Sequence, residues 1–150
     1  MDKKVLIQLC DIRAEIDDLR KRIDNLDKFL EDPPIVSDVV KGTRIDGTVG
    51  PIKITGIPGP EYANKQKLRK RYRYLMESAE EKLLELTCQA EEYIQNLDKS
   101  ELRNMFRLYF IDGRSYTQVA RCMNSMYPRR RKNYTEEGVR KKIQRFFEKI

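Results

Sequence analysis

The side chains that could do chemistry are concentrated in the last third of the chain, and most of them are basic. Residues 98–150 hold 14 Lys and Arg against 6 Asp and Glu, whereas residues 1–97 hold 17 against 18. Four consecutive cations, residues 129–132, are soon followed by Arg140, Lys141 and Gln144. Guanidinium and amide groups form paired hydrogen bonds to base edges, and clustered cations bind phosphates. The pattern therefore predicts a polyanion, double-stranded DNA, as the partner of this third.

Catalytic and metal-binding arrangements are not indicated by the residue types. The chain has no histidine, which removes imidazole bases, Ser-His-Asp triads and His-containing metal sites. Adjacent carboxylates such as Asp17 and Asp18 diverge on a helix, so they cannot flank a substrate. Cys10, Cys88 and Cys122 show no CxxC spacing and are typical of reduced intracellular thiols. We expect no enzyme activity, no cofactor and no metal.

Two long amphipathic segments precede the basic third. Residues 5–30 repeat apolar side chains alternately four and three positions apart, which is typical of a coiled-coil seam. Residues 61–97 show the same repeat with one stutter. The first segment ends acidic and the second begins basic, which favours an antiparallel helical hairpin. The same seams could instead pair two chains as a homodimer, and the pattern leaves both interpretations open.

A segment rich in proline and glycine, residues 33–60, separates the two long helices. It contains five of the six prolines and five of the seven glycines. Within it, "IVSDVVKG" and "PIKITGI" alternate apolar and polar residues as strands do. A small β-hairpin is one interpretation, and a flexible linker is the other.

Nothing in the sequence indicates a membrane protein. No apolar run approaches the ~18 residues that a membrane-spanning helix needs. The N-terminus turns acidic too early for a signal peptide. We expect a cytoplasmic protein with no membrane partner.

Start and stop signals predict three short helices in the last third. Asp98 with Glu101, and Ser115 with Gln118, have the spacing of capping boxes, while Thr135 begins a third helix. Glycine 113 is expected to end the first helix. Short amphipathic helices that share one core, the last with a polar outward face, are the parts of a helix-turn-helix. The predicted fold class is therefore all-α. Residues 1–97 are predicted to form a long antiparallel helical hairpin, with a small β-hairpin as one interpretation of its insert. Residues 98–150 are predicted to form an independent trihelical domain, the helix-turn-helix.

Two motifs in this third carry a family resemblance. "LYFIDGRSYTQVARCMN", residues 108–124, resembles the first half of region 4 of bacterial sigma factors, with its glycine turn followed by Ser-Tyr-x-x-x-Ala. "EGVRKKIQRFFEKI", residues 137–150, is similar to the recognition helix of that region, with Val139, Ile143, Phe146 and Ile150 at the buried positions. The whole arrangement also resembles small phage transcriptional regulators of Gram-positive bacteria, of the late-gene activator type. One departure is the loop at 125–134, which is longer and more cationic than the sigma turn.

The resemblance implies sequence-specific DNA binding, regulation of transcription and a contact with RNA polymerase. It implies that the base-reading side chains are Thr135, Glu136, Arg140, Lys141 and Gln144. The cations of the loop have no helical geometry to direct them at base edges, so we expect phosphate contacts there. The full set of phosphate candidates is Arg114, Ser115, Arg129, Arg130, Arg131, Lys132 and Arg145.

Two other classes of function fit the same features. A small-terminase-like DNA-packaging protein also joins a helix-turn-helix to oligomerising helices, but it assembles as a ring of many subunits. An interaction or inhibitor protein of a phage would use the basic third on another protein and would ignore duplex DNA.

Overall fold

The structure of the protein, a computed structural model, describes residues 3–149 and is mostly helical. Five α-helices, one short π-helix and one two-stranded sheet make up the described chain. None of these helices is both long enough and apolar enough to span a membrane. In chain order the elements are α1 (Lys4–Glu31), β1 (Val36–Thr43), β2 (Val49–Gly56), α2 (Gly59–Gln95), α3 (Ser100–Phe106), the π-helix (Arg107–Ile111), α4 (Tyr116–Met126) and α5 (Glu136–Glu148).

The insert between the long helices is a β-hairpin, which confirms one of its two interpretations. Strands β1 and β2 pair antiparallel from Val36 opposite Gly56 to Thr43 opposite Val49. Gly47 takes a φ of +83° in the turn, a conformation that favours glycine. The Asp46 carboxylate accepts hydrogen bonds from the amide and the hydroxyl of Thr48, and these lower the pKa of Asp46. Local turn chemistry therefore closes the hairpin.

Contacts divide the chain into two compact units. The hairpin unit is Ile16–Ser78, which holds the sheet with the adjoining parts of α1 and α2. The terminal unit joins the residues up to Glu15 to those from Ala79 onward. Both long helices thus contribute residues to both units.

Within the hairpin unit, the end of α1 packs antiparallel to the start of α2. Ile16, Leu19, Ile23, Leu26 and Leu30 are buried, as the predicted seam requires. The Asp27 carboxylate accepts hydrogen bonds from Arg69 at 3.0 Å and Arg73 at 3.4 Å. The Lys65 ammonium lies 4.3 Å from the centre of the Phe29 ring. The acidic end of the first helix therefore meets the basic start of the second within one chain. Leu68, however, is 41% exposed rather than buried in the seam.

In the terminal unit one hydrophobic core joins the chain's two ends. Leu6, Leu9, Ala90 and Ile94, from the long helices, share this core with side chains of the short helices. From the short helices come Met105, Phe106, Leu108, Phe110, Val119, Ala120, Met123, Val139 and Ile143. The predicted boundary between residues 97 and 98 therefore falls inside a core, because the short helices bury their apolar faces against α1 and α2.

Two details of the terminal unit differ from the sequence-based expectations. The N-cap of α3 is Lys99 rather than Asp98, and no side chain in the described part of the chain caps this helix. An antiparallel pairing of the long helices predicts that Lys3 lies near Glu91. Its ammonium instead donates to the carbonyls of Phe146 and Phe147 at the end of α5, at 3.0 and 3.3 Å. The Lys3 contacts join residues 143 and 144 positions apart, which spacing along the chain does not encode. Ile150, expected on the buried face of the last helix, lies outside the described residues.

The turn after the π-helix is held by a side chain from α1. The Arg13 guanidinium donates to the carbonyls of Phe110 and Ile111 at 2.8 and 2.7 Å. Gly113 has a φ of +66°, and a Cβ there would lie 3.1 Å from Arg13 Nη1. The prediction that Gly113 ends this helical segment is confirmed, and the first residues of the chain help to position the start of α4.

Candidate nucleic-acid interface

Both helices that carry the predicted DNA-binding residues begin with a side-chain cap, as expected. The Ser115 hydroxyl accepts from the Gln118 amide N–H at 3.3 Å, and the Gln118 side chain accepts from the Ser115 N–H at 3.1 Å. This confirms the capping box of α4. The Thr135 hydroxyl accepts from the Gly138 N–H at 3.1 Å and caps α5. Each helix therefore has a defined first turn.

The first turns of α4 and α5 lie next to each other. The Thr117 hydroxyl donates to the Glu136 carboxylate at 2.9 Å, and both side chains are exposed. Behind them, Val119, Ala120 and Met123 of α4 are buried in one core with Val139 and Ile143 of α5. The small Ala120 side chain permits a close approach of the two helices, as its size predicts. The pair therefore presents two adjacent helix N-termini, whose free N–H groups favour anions.

The long loop between α4 and α5 is anchored at both ends. The Asn124 side-chain amide bonds the Tyr134 backbone twice, donating to its carbonyl at 3.0 Å and accepting from its N–H at 2.6 Å. At the other end the Asn104 amide donates to the Tyr127 hydroxyl at 2.8 Å. These contacts fix where the cationic loop leaves α4 and where it enters α5.

One loop cation, Arg130, is held by a charged cluster and does not extend freely. Its guanidinium donates to the Glu101 carboxylate at 2.6 Å, donates to the Tyr134 hydroxyl, and lies 4.2 Å from the centre of the Tyr134 ring. Lys142 of α5 donates to the same carboxylate. Partial burial alone would raise the pKa of Glu101, but hydrogen bonds from Lys142, Arg130 and Tyr134 outweigh it and lower the pKa to about 2. Burial, then the Glu101 contact, raises the pKa of Tyr134 to about 12.

The other three loop cations, Arg129, Arg131 and Lys132, are exposed. Within residues 3–149 their side chains form no hydrogen bond or ion pair. The four cations that the sequence grouped together thus fall into one that ties the loop to α3 and three that are available to an anionic partner.

The outward residues of α5 share one side of the helix. Glu137 pairs with Lys141 at 2.8 Å and with Arg140 at 3.9 Å, and all three side chains are more than half exposed. Hydrogen bonding by Lys141 lowers the pKa of Glu137. Gln144 is exposed one turn further on. Exposed pairs of this kind are weak, so a stronger anion would displace Glu137 from both cations.

The remaining predicted phosphate candidates lie at two separate places. Arg114 precedes the α4 cap, where its guanidinium donates to Cys122 Sγ at 2.7 Å and lies 3.9 Å from Asp112. Arg145 is exposed in the last turn of α5, beside a different cavity from the one that Gln144 borders.

Sequence reasoning missed two residues of this surface. Thr117, which joins the two helices, and Arg121, one turn further along α4, are both exposed. Their spacing of four residues on an amphipathic helix was the available signal.

Taken together, residues 114–145 carry ten Lys and Arg against two Glu, and both Glu lie in the first turn of α5.

In the part of the chain that the structure describes, no group of three His, Cys, Asp or Glu is placed to hold a metal ion. Comparison of the chain with protein-family models, curated proteins and solved structures finds no match.

Proposed function

We propose that this chain is a sequence-specific regulator of transcription that binds double-stranded DNA, with α4 and α5 as a helix-turn-helix. The observation that carries the proposal is the pair of capped, adjacent helix N-termini, joined by Thr117 and Glu136 within a strongly basic surface. In this motif the first helix crosses the DNA backbone, and the N-terminal part of the second contacts base edges in the major groove.

Base reading is assigned to the outward side chains of α5. Arg140 can bond guanine O6 and N7 through two N–H groups, and Gln144 can bond adenine N6 and N7. Glu136 can accept from cytosine N4, while Thr135 and Lys141 complete the surface. Arg140 and Lys141 must leave Glu137 to do so, which costs little at an exposed site.

Phosphate contact is assigned to the start of α4 and to the loop. The N-terminus of α4 offers backbone N–H groups beside Ser115 and Arg114, an arrangement suited to a phosphate. The free cations of the loop, Arg129, Arg131 and Lys132, supply charge. Arg130 instead positions the loop through Glu101.

The regulatory role and the contact with RNA polymerase rest on the resemblance to sigma region 4 and to phage late-gene activators. Pairing of two chains through the long helices rests on the heptad repeat, but the α1 seam is already buried within one chain, so a dimer would use other faces of these helices. These three parts of the proposal depend on DNA binding being demonstrated first.

The first test is a salt titration of the full-length chain with duplex DNA. If ~5–8 phosphates are contacted, log K should fall with log salt at a slope of roughly −4 to −7. Replacing Arg129, Arg131 and Lys132 with Ala should weaken binding to all duplexes and flatten the slope by about 2–3 units. For each phosphate contact that is lost, binding releases about one counterion fewer.

The control for this test replaces three exposed cations of the hairpin unit, Lys41, Lys53 and Lys70, with Ala. It removes the same charge and should leave the slope nearly unchanged. A chain that ignores duplex DNA at low salt would instead support an interaction or inhibitor protein. DNA binding by a ring of many subunits would support the packaging class.

A further inference from the structure

A second basic feature of the terminal unit is a groove beside the last turns of α5. Its cavity is about 240 Å³ in volume. Leu102 of α3 and Phe146 of α5 form an apolar floor, and the cations around it are Lys99, Lys142, Arg145 and Lys149.

This groove lies on a different side of α5 from the base-reading candidates. Lys142, Arg145 and Lys149 follow one another at intervals of three and four residues, so they share one side of the helix. Glu137, Lys141 and Gln144 have the same spacing with a different phase, which directs them about 100° away around the axis. A partner in the groove can therefore bind without covering Arg140 or Gln144.

Within residues 3–149, most of the positive charge of the groove is uncompensated. Among the described residues that line it, Glu101 is the one acidic side chain, and it is already shared between Lys142 and Arg130. The side chains of Lys99, Arg145 and Lys149 form no ion pair or hydrogen bond with any other described residue. Three unpaired cations around one small cavity repel each other, and an anionic occupant removes that repulsion.

The floor distinguishes between kinds of anion. Phe146 is half-buried and packs edge-on against Phe106, with ring centres 4.8 Å apart, so it offers a rigid apolar surface. A DNA phosphate has no apolar group that could pack against this surface. An apolar side chain gains from burial there, while carboxylates beside it reach the cations.

We propose that this groove binds an acidic peptide segment of a partner protein, with one aromatic or aliphatic side chain on Leu102 and Phe146 and its carboxylates on Lys99, Arg145 and Lys149. The site is independent of the DNA-binding proposal, because it uses another side of α5. It gives the terminal unit a place to hold a second protein on a side of α5 about 100° away from the proposed DNA-binding side.

The test is an NMR titration of the isotope-labelled, full-length chain with a synthetic peptide in which a central Phe is flanked by Glu residues. Amide shifts are expected at Leu102, Phe146 and Lys149, with a Kd of about 0.1 mM for a site of this size. A peptide with Ser in place of the Phe has the same charge and should bind about tenfold more weakly, because the apolar contact is lost.

Two protein variants complete the experiment. Lys99→Glu reverses one rim charge at a helix start, where an acidic residue is tolerated, and should weaken the Phe peptide about fivefold. Lys53→Glu makes the same charge change in the hairpin unit and should leave the affinity unaltered.

Three outcomes would overturn the proposal. The Ser peptide could bind as tightly as the Phe peptide, which would reduce the site to nonspecific charge. Lys99→Glu and Lys53→Glu could weaken binding of the Phe peptide equally, which would also show that the binding is nonspecific attraction between charges. Duplex DNA, rather than the peptide, could shift the Leu102 and Phe146 amides, which would make the groove part of the DNA surface.

Discussion

At the residue scale, replacing Arg140 tests whether this side chain contacts a base edge or a phosphate. It is exposed on α5 and pairs only loosely with Glu137, so its removal leaves the core intact. Arg140→Ala should cost about 1–3 kcal/mol on the preferred DNA site and much less on random duplex, because a bidentate contact to a base is lost. Lys70→Ala, an exposed cation of α2, is the matched control. Equal losses on both duplexes would move Arg140 to the phosphate-contacting group.

Glu101 is the residue with the clearest pH signature. Its pKa in the fold is about 2, below its ordinary value of 4.5. A lowered carboxyl pKa stabilises the fold above the ordinary value, and that stability is lost as pH falls from about 4.5 towards 2. Glu101→Gln should therefore destabilise the protein by about 1 kcal/mol at pH 7, a value kept small because the group is partly exposed.

The measurement is denaturant unfolding of wild type and variant at pH 7, 4 and 3. The difference between them should shrink as the pH falls, since wild-type Glu101 then takes up a proton on unfolding. Glu92→Gln, at an exposed position of α2 outside this cluster, is the matched control. A difference that stays constant down to pH 3 would contradict the role of the Glu101 cluster.

At the element scale, the caps define where α4 and α5 begin. Ser115→Ala and Thr135→Ala each remove the acceptor for a backbone N–H in a first turn. Each should cost about 1 kcal/mol, which corresponds to a fall in Tm of about 2–4 °C for a chain of this length.

Ser125→Ala is the internal control for the caps, because Ser125 is exposed in the last turn of α4 and caps nothing. Thermal melts followed by circular dichroism compare the three variants. If Ser125→Ala lowers Tm as much as the cap variants do, the capping hydrogen bonds are not what stabilises these helices.

At the scale of the whole molecule, helices α4 and α5 depend on the first residues of the chain. Leu9 is fully buried in the core of the terminal unit, whereas Ile7 on the same helix is 47% exposed. Leu9→Ala should destabilise the protein by about 2–5 kcal/mol, since it leaves a cavity among side chains from both ends of the chain. Ile7→Ala should have a small effect.

The consequence for function is measurable as a function of temperature. DNA binding by Leu9→Ala should fail at the temperature at which its helices melt, well below the temperature for wild type. If DNA binding persisted above the temperature at which α1 unfolds, residues 98–150 would fold without the long helices, as an independent domain does.

The sequence by itself determined the features that depend on neighbours along the chain. Helix starts at Ser115 and Thr135, the stop at Gly113 and the seam of α1 each follow from hydrogen bonds or side-chain spacing within about four residues. The strands of the insert were one of two interpretations, because alternation over so few residues also suits a linker. The basic charge of the last third is a property of composition alone.

Only the tertiary structure decided which groups meet across the chain. Spacing did not show that Leu6 and Ile94, rather than the seam residues alone, are fully buried, nor that Arg130 is bound while Arg129 and Arg131 are free. These outcomes depend on partners such as Glu101, 29 residues from Arg130 along the chain. Long-range packing selects one pairing among many that local patterns permit, and for that reason the two ends of this chain share a core that neither end predicts on its own.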